Sequence, residues 1–156
     1  MQAKPDLPAP MTVTPVDPER VVSGLYELMI AGGRPRVLII TPKRQLYDNL
    51  RVALRKMGFE TEHAMDTMPA LSRARLPLPP LDVVMADNDE NLTLFMTNMR
   101  KDIRTKRLPV MTLAPSKTAA RVAKQFKVPV LAYGPAGQVQ ASKVKALVNQ
   151  VYKPRP

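Results

Sequence analysis

The chain has 156 residues, 45% of them hydrophobic and 4% aromatic, which suits one domain whose core is built from aliphatic and methionine side chains. The absence of cysteine excludes disulfides, zinc–thiolate sites and thiol nucleophiles, and no apolar run reaches the ~20 residues of a membrane helix. The net charge of +11 favours nucleic acid, an anionic membrane surface or an acidic protein as partner, and a solvated basic surface explains it equally well.

The first 33 residues divide into two predicted segments. Residues 1–17 contain four prolines and no apolar period, which is typical of an extended, disordered arm. Residues 18–33 follow Asp17, a favourable N-cap, end in a glycine pair, and carry apolar residues at i, i+3 and i+4 spacing. We therefore expect an amphipathic N-terminal helix that packs against another surface.

Strands and helices alternate over residues 35–153, which we assign to the one domain of the chain. Apolar or alternating runs predict strands at 37–40, 59–64, 81–86, 109–114 and 128–133. Helical spacing predicts five helices, which lie at 44–57, after the cap at Asp66, and at 91–103, 116–126 and 140–152. Gly58 is expected to end the first helix, and Ser116 is expected to cap the fourth. Near-continuous apolar strands that alternate with helices predict an α/β fold, a five-stranded parallel sheet, doubly wound in the order 2-1-3-4-5.

Functional groups in such a fold collect beyond the carboxyl ends of the strands. One of these ends is LDVVMADNDE (81–90), where a buried strand stops at Asp87. Together with RVLIITPKRQLYDNLRVALRKMGFETEHA, LPVMTLA and VPVLAYGPAG, it resembles the receiver domain of response regulators over residues 35–152. The resemblance implies a flavodoxin-like fold and a role in bacterial signal transduction.

The resemblance also implies a phosphorylation site with four parts. An acidic pair after strand 1 holds Mg²⁺, an aspartate ending strand 3 is the nucleophile, and a hydroxyl after strand 4 and a lysine after strand 5 bind the phosphoryl group. Asp87 falls on the phosphoacceptor position. The other positions lack the required groups, since they hold Thr41, Pro42, Ala114 and Gly134.

Loss of the metal ligands removes transition-state stabilisation that a phosphotransfer site needs. We therefore expect Asp87 to be an inactive remnant that is not phosphorylated by the usual Mg²⁺-dependent route, in a protein without a metal or other cofactor. Lys43 or Arg44, which follow strand 1, could pair with Asp87 and neutralise it permanently.

Four further residues lie near these strand ends. Thr112 precedes Ala114 by two positions and is expected on the same side of strand 4. The aromatic residue that family members often carry in strand 5 falls near Leu131, with Tyr133 two positions on. His63 is the only histidine, which excludes a histidine metal cluster and favours a surface or strand-end position.

Basic residues cluster in the last third of the chain. Lys117, Arg121, Lys124 and Lys127 recur at three- or four-residue spacing along the fourth helix, and Lys143 and Lys145 lie in the fifth. A solvated face accounts for each helix alone. Because helix 4, strand 5 and helix 5 adjoin in this fold, the charges could also form one basic interaction face, without the aromatic residues that single-strand binders use.

These observations favour a cytoplasmic, non-catalytic pseudo-receiver that regulates signal transduction or transcription by binding a protein partner or a second copy. The contact would use helix 4–strand 5–helix 5 or the N-terminal helix. The alternatives are a basic nucleic-acid-associated protein and an active but atypical receiver. The chain ends soon after the fifth helix, which is compatible with a fragment of a longer regulator.

Overall fold

The computed structural model describes residues 33–154. The predicted arm, 1–17, and the predicted helix, 18–33, lie outside the described residues except for Gly33. The compact unit that contains the sheet begins at Arg34.

The described residues form five strands that alternate with five helices. The strands are β1 (Arg36–Ile40), β2 (Glu60–Ala64), β3 (Val83–Asp87), β4 (Val110–Pro115) and β5 (Val130–Tyr133). The helices are α1 (Arg44–Lys56), α2 (Thr67–Ala74), α3 (Leu92–Lys101), α4 (Ala119–Phe126) and α5 (Ala141–Val151), and a 3₁₀ turn at Pro135–Gly137 precedes α5. All pairings are parallel and the order is β2-β1-β3-β4-β5, which confirms the predicted fold.

The sheet is covered on both faces by apolar side chains. On one face α1 and α5 contribute Leu46, Leu50, Leu54, Val144 and Val148 to the core. On the other face α2 and α3 contribute Ala70, Ala74, Leu92, Phe95, Met96 and Met99. Residues 37–40 of β1 are at most 2% exposed, because this central strand is buried between the two helical layers. Each fully buried leucine stabilises the fold by about 2 kcal/mol.

Two of the predicted helix ends are confirmed. The Asp66 carboxylate accepts a hydrogen bond from the backbone N–H of Met68 at 3.0 Å and so caps α2. Gly58 follows α1 with a φ of +91°, a conformation that glycine adopts without the strain a side chain would add.

The two predicted helices over 91–103 and 116–126 are shorter than expected. α3 ends at Lys101, because Asp102 is extended and its carboxylate instead accepts the backbone N–H of Arg104 at 2.9 Å. The prediction of Ser116 as the cap of α4 is wrong. Thr118 occupies the N-cap position, and the Ser116 hydroxyl donates to the carbonyl oxygen of Tyr133 at 3.1 Å.

Among the helices of residues 33–154, none is long and apolar enough to cross a bilayer.

Candidate functional site at the carboxyl end of the sheet

Asp87 is the last residue of β3 and its side chain is almost completely buried. The residue is 3% exposed. Its register partner on β4 is Leu113, so both side chains point to the sheet face covered by α1 and α5. A carboxylate in such a position is stable only when hydrogen-bond donors or opposite charge compensate for the lost water.

Three side chains provide that compensation. The Thr41 hydroxyl donates to Oδ2 of Asp87 at 2.8 Å, and the Lys43 ammonium donates to the same oxygen at 3.1 Å. The Tyr133 hydroxyl donates to Oδ1 at 3.0 Å. Thr41 and Tyr133 are themselves 0% and 5% exposed. Both oxygens are therefore engaged within the protein; we call Asp87, Thr41, Lys43 and Tyr133 the Asp87 cluster.

The loop that follows β1 is held in place from two sides. The backbone N–H of Thr41 donates to the Ala64 carbonyl of β2 at 2.9 Å, and Nε2 of His63 lies 2.8 Å from the Thr41 carbonyl. The backbone N–H of Lys43 donates to the Thr41 hydroxyl at 3.0 Å. The imidazole of His63 stacks on the Tyr47 ring, with 4.2 Å between ring centroids. His63 thus lies at the end of β2, as predicted, and supports the backbone that presents Thr41.

Tyr133, the last residue of β5, is held in place by backbone contacts of the strand end and of the turn that follows it. Its carbonyl accepts both the backbone N–H of Ser116, at 2.9 Å, and the Ser116 hydroxyl. The following turn lies directly against α1, where Asn49 Nδ2 donates to the Gly137 carbonyl at 2.8 Å. A Cβ at Gly137, whose φ is +70°, would lie 2.6 Å from the Leu46 backbone, so glycine permits this close approach.

The electrostatics keep Lys43 charged and Tyr133 neutral. Burial lowers the pKa of the Lys43 ammonium, but the Tyr133 hydroxyl and the Asp87 carboxylate raise it by more, so the pKa lies above its ordinary value. Burial raises the pKa of the Tyr133 phenol, the Lys43 ammonium lowers it by a smaller amount, and the Asp87 carboxylate raises it further, so the pKa lies above its ordinary value. The Lys43 ammonium also lies 5.5 Å from the centroid of the Tyr133 ring, within the range of a cation–π contact.

The residues around Asp87 do not fit a magnesium ion, which requires several oxygen ligands in octahedral geometry. The loop after β1 offers a hydroxyl and a proline, and the Lys43 ammonium already supplies the positive charge beside Oδ2. Asp89 is exposed, and its carboxylate accepts the backbone N–H of Asn91 at 2.8 Å. Within residues 33–154 no three His, Cys, Asp or Glu side chains group together as a potential metal site.

The remaining predicted pocket residues bring no reactive group to Asp87. Ala114 is buried and pairs with Ala132 of β5, whereas Pro42 is exposed and Gly134 half-buried. Thr112 does not replace the missing hydroxyl, because it pairs with Ala86 on the opposite sheet face from Asp87 and its hydroxyl lies 3.4 Å from the Pro129 carbonyl.

Of the two cations proposed to neutralise Asp87, only one does so. Lys43 forms the ion pair, while the guanidinium of Arg44 pairs with Asp48 one helical turn along α1 at 3.3 Å. The hydroxyl groups of Thr41 and Tyr133 were not anticipated as donors. The available signal was the position of Tyr133 two residues after Leu131, which places both side chains on one face of β5.

The basic residues are exposed but do not share one helical face. Lys117 precedes α4, and Lys127 follows it in a left-handed conformation with a φ of 54°, so only Arg121 and Lys124 lie on the helix. Lys145 lines a groove between α1 and α5. Lys143 lies one turn before Leu147, which lines a separate groove between α4 and α5.

Several solved structures that share this fold are response regulators, and one is described as a sensor protein. The chemotaxis response regulator CheY4 of Vibrio cholerae is 19% identical, with a TM-score of 0.62 over 76% of this chain and 98% of that one. A response regulator from Desulfuromonas acetoxidans is 18% identical, with a TM-score of 0.60 over 75% and 95%. A sensor protein from Polaromonas sp. JS666 is 20% identical, with a TM-score of 0.59 over 76% and 98%.

No protein-family model matches the chain, and no curated protein is significantly similar to it in sequence. At these identities the likeness to solved structures concerns the fold. The described part of the chain therefore has the receiver fold, which confirms the fold implied by the sequence resemblance.

Proposed function

We propose that the protein is a non-catalytic pseudo-receiver, a cytoplasmic regulatory module that acts through contacts with a partner and is not phosphorylated by the Mg²⁺-dependent route. The observation that carries this proposal is the Asp87 cluster. An aspartyl nucleophile must expose a carboxylate oxygen to the incoming phosphorus atom. In this protein the carboxylate is 3% exposed and both of its oxygens accept hydrogen bonds from the protein itself.

The Lys43 ion pair gives a second argument. Attack on a phosphodonor would require the carboxylate to leave an ammonium at 3.1 Å and a hydroxyl at 2.8 Å. Hydrogen bonds to a charged partner contribute about 1.5–3 kcal/mol each. Without metal ligands to stabilise the transferring group, the site has no compensating interaction for that loss.

The Asp87 cluster also joins the strand end to the surface of the domain. Asp87 holds the Tyr133 side chain, and the Tyr133 carbonyl holds Ser116 in the turn before α4. We infer that the carboxylate has become a structural acceptor that keeps β5 and this turn in one arrangement. A domain fixed in this way offers a constant binding surface in place of a phosphorylation-dependent one.

The proposal is tested with a small phosphodonor. The full chain is incubated with acetyl phosphate and Mg²⁺, and its intact mass is recorded beside that of Asp87→Asn and of an active receiver. We expect no phosphoryl adduct on the wild type under conditions that modify the active receiver. An adduct on the wild type that is lost in Asp87→Asn would refute the proposal and establish an active, atypical receiver.

A nucleic-acid-associated role is the second candidate, and it is favoured by exposed cations at Arg121, Lys124 and Lys143. It predicts binding to duplex DNA or to RNA whose logarithmic affinity falls linearly with the logarithm of the salt concentration. Titration of a labelled 20-base-pair duplex and a matched RNA, at about 50 and 200 mM salt, measures that slope. Absence of binding to either at the lower concentration removes this candidate.

A further inference from the structure

The loops 75–82 and 102–109 form one surface at the amino ends of the strands. The first loop connects α2 to β3 and the second connects α3 to β4, so both lie at the opposite end of the sheet from Asp87. Residues of both loops line one cavity, and Lys153, which follows α5, lines it as well. We call the two loops together with Lys153 the amino-end surface.

Three aliphatic side chains of the amino-end surface are exposed. Ile103 is 81% exposed, Leu76 56% and Leu78 37%, and among the large apolar side chains of residues 33–154 Ile103 is the most exposed. Leu76 and Ile103 each directly follow one member of an ion pair, because Arg75 Nε lies 3.0 Å from Oδ2 of Asp102. Single exposed apolar side chains are common on protein surfaces, but a group of them on neighbouring loops indicates a contact surface.

The same surface is strongly positive. Residues 100–109 contain five basic side chains and one acidic side chain, Asp102. The Asp102 carboxylate is already paired, since Nη2 of Arg104 lies 2.7 Å from its Oδ2. Arg107 and Lys153 are exposed, and neither takes part in an ion pair with a carboxylate of residues 33–154. Their charge is therefore available to an anionic ligand.

The cavity between the two loops has a volume of about 370 Å³ and a largely apolar lining. Its leucine and proline side chains are Leu76, Pro77, Pro80, Leu81, Leu108 and Pro109. Arg107 and Lys153 line the same cavity. Its one acidic lining residue is Asp82, which is 9% exposed and accepts the backbone N–H of Arg36 at 2.8 Å. The lining therefore suits a ligand that joins an apolar group to a negative one.

Contacts within the domain hold both loops in position. In the first loop, the Pro79 carbonyl accepts a hydrogen bond at 2.6 Å from the guanidinium of Arg73, which also pairs with Glu62 of β2. In the second loop, the buried hydroxyl of Thr105 donates to the Met99 carbonyl at 2.7 Å. A surface that is fixed in this way loses little conformational entropy when a ligand binds to it.

Neither a partner helix nor a second copy of the chain fits this surface. A helix 10–12 Å in diameter occupies roughly 400–600 Å³ in each 5.4 Å turn, whereas the cavity has a volume of about 370 Å³. Two copies paired about a two-fold axis would use the same patch on both subunits and would bring like charges together. Such like-charge contacts oppose association.

Nucleic acid satisfies the charge but not the apolar groups. Phosphates would pair with the cations and leave the exposed aliphatic side chains in water, and the two loops contain no aromatic side chain on which a base could stack. An anionic bilayer satisfies both requirements. Its phosphate groups attract cations, and apolar side chains are favourable at the boundary between headgroups and acyl chains.

We propose that the amino-end surface binds the anionic surface of a phospholipid bilayer. Ile103 and Leu76 enter the boundary between headgroups and acyl chains, and Arg107 and Lys153 contact lipid phosphates. This peripheral attachment goes beyond the proposed function and uses no residue of the Asp87 cluster. It directs the Asp87 end of the domain away from the bilayer, where a protein partner has access to it.

The first test is sedimentation of the full chain with lipid vesicles. One set contains only phosphatidylcholine, and the other contains about 30% phosphatidylglycerol as the anionic lipid. A cation close to an anionic surface strengthens binding roughly fivefold, so we expect the anionic vesicles to bind at least tenfold more tightly. Raising the salt concentration from about 50 to 500 mM should weaken this binding, because salt screens the attraction.

Two pairs of variants locate the contact. Ile103→Ser should weaken binding to anionic vesicles roughly tenfold, whereas Met68→Ser, at a side chain 77% exposed in the first turn of α2, should leave it unchanged. Arg107→Gln/Lys153→Gln should weaken binding roughly tenfold or more. Lys124→Gln/Lys143→Gln removes the same charge from α4 and α5 and should change affinity by less than about threefold. Circular dichroism melting establishes that each variant is folded.

A fluorescence measurement tests insertion directly. The chain contains no tryptophan, so Ile103→Trp introduces a single reporter. Its emission should shift to shorter wavelength when anionic vesicles are added, because the indole leaves water for the bilayer interface. Met68→Trp places the same reporter near the carboxyl end of the sheet, where we expect no shift.

Four results would overturn the membrane proposal. They are equal affinity for neutral and anionic vesicles, equal effects of Ile103→Ser and Met68→Ser, equal effects of the two charge variants, and binding of duplex DNA without binding of vesicles. A phosphoryl adduct on Asp87 would instead refute the pseudo-receiver assignment and leave the vesicle result intact. The two proposals therefore fail in separate experiments.

Discussion

Replacement of Tyr133 by phenylalanine isolates one hydrogen bond of the Asp87 cluster. The substitution removes the hydroxyl that donates to Oδ1 of Asp87 at 3.0 Å and keeps the ring in the core. Within the described residues, Oδ1 then loses the only side-chain donor that it has. The carboxylate remains buried and charged, so the cost includes the desolvation of that oxygen.

The magnitude follows from the charge of the acceptor and the burial of both partners. Hydrogen bonds to charged groups contribute about 1.5–3 kcal/mol, and those between neutral groups about 0.5–1.5 kcal/mol. Tyr133 is 5% and Asp87 3% exposed, so solvent does not screen their interaction. We therefore expect Tyr133→Phe to lower the free energy of unfolding by about 2 kcal/mol, equivalent to a decrease of roughly 6 °C in melting temperature.

Tyr47→Phe is the matched control. Tyr47 is also buried, at 9% exposed, but its hydroxyl is bonded to the neutral Thr61 hydroxyl at 3.0 Å. We expect it to cost about 0.5–1 kcal/mol. Urea titrations at neutral pH, followed by circular dichroism, measure both values. If the two substitutions cost the same, the Asp87 carboxylate does not strengthen its bond to Tyr133 and the account of the cluster is wrong.

Alkaline pH should weaken the Asp87 cluster, because folding raises the pKa of both Lys43 and Tyr133. The contribution of the two protonated side chains to the free energy of unfolding is complete below about pH 10, and it is lost as the pH rises through their folded-state pKa values. The difference in unfolding free energy between wild type and Tyr133→Phe should thus be constant from about pH 7 to 9 and narrow above about pH 10, and a difference that stays constant throughout would contradict this. Gly137→Ala should cost about 2–4 kcal/mol by urea titration, because its φ is +70° and the new Cβ would meet the Leu46 backbone at 2.6 Å. Gly58→Ala, where φ is +91° but the space around the new Cβ is open, should lower the free energy of unfolding by only about 1 kcal/mol. If both substitutions lowered it equally, the contact of Gly137 with the α1 backbone would not be tight.

Much of the fold is readable from local pattern. The apolar runs of β1 and β3 are nearly continuous because both faces of a central parallel strand are buried. Such a run can be recognised in the sequence without any tertiary information. The cap at Asp66 and the glycine at position 58 are equally local, since each depends on backbone geometry within a few residues. The error at Ser116 arose because its hydroxyl bonds to Tyr133, 17 residues away, instead of to its own helix.

The candidate site depends on contacts that are remote in sequence. Lys43 lies 44 residues from Asp87, and Thr41 and Tyr133 each lie 46 residues from it. The resemblance to receiver domains implied which reactive groups were missing after the strands, and the residues after strand 1 offered both Lys43 and Arg44 as counter-ions. Only the geometry of the loop after β1 decides between them, because it directs Lys43 inward and leaves Arg44 to pair with its own helix.

By itself, the sequence determined the parallel α/β architecture and the place of Asp87 at a strand end, because both are encoded in residue type and spacing along the chain. The absence of an acidic pair after β1 is also visible in the sequence, but it has a meaning only through the resemblance to receiver domains. The tertiary structure alone decided that the carboxylate is buried and accepts hydrogen bonds from Thr41, Lys43 and Tyr133, and that a groove lies between α4 and α5. These features depend on which strand ends and helix faces lie close together in space. A local sequence pattern does not show the distance between residues that are far apart along the chain.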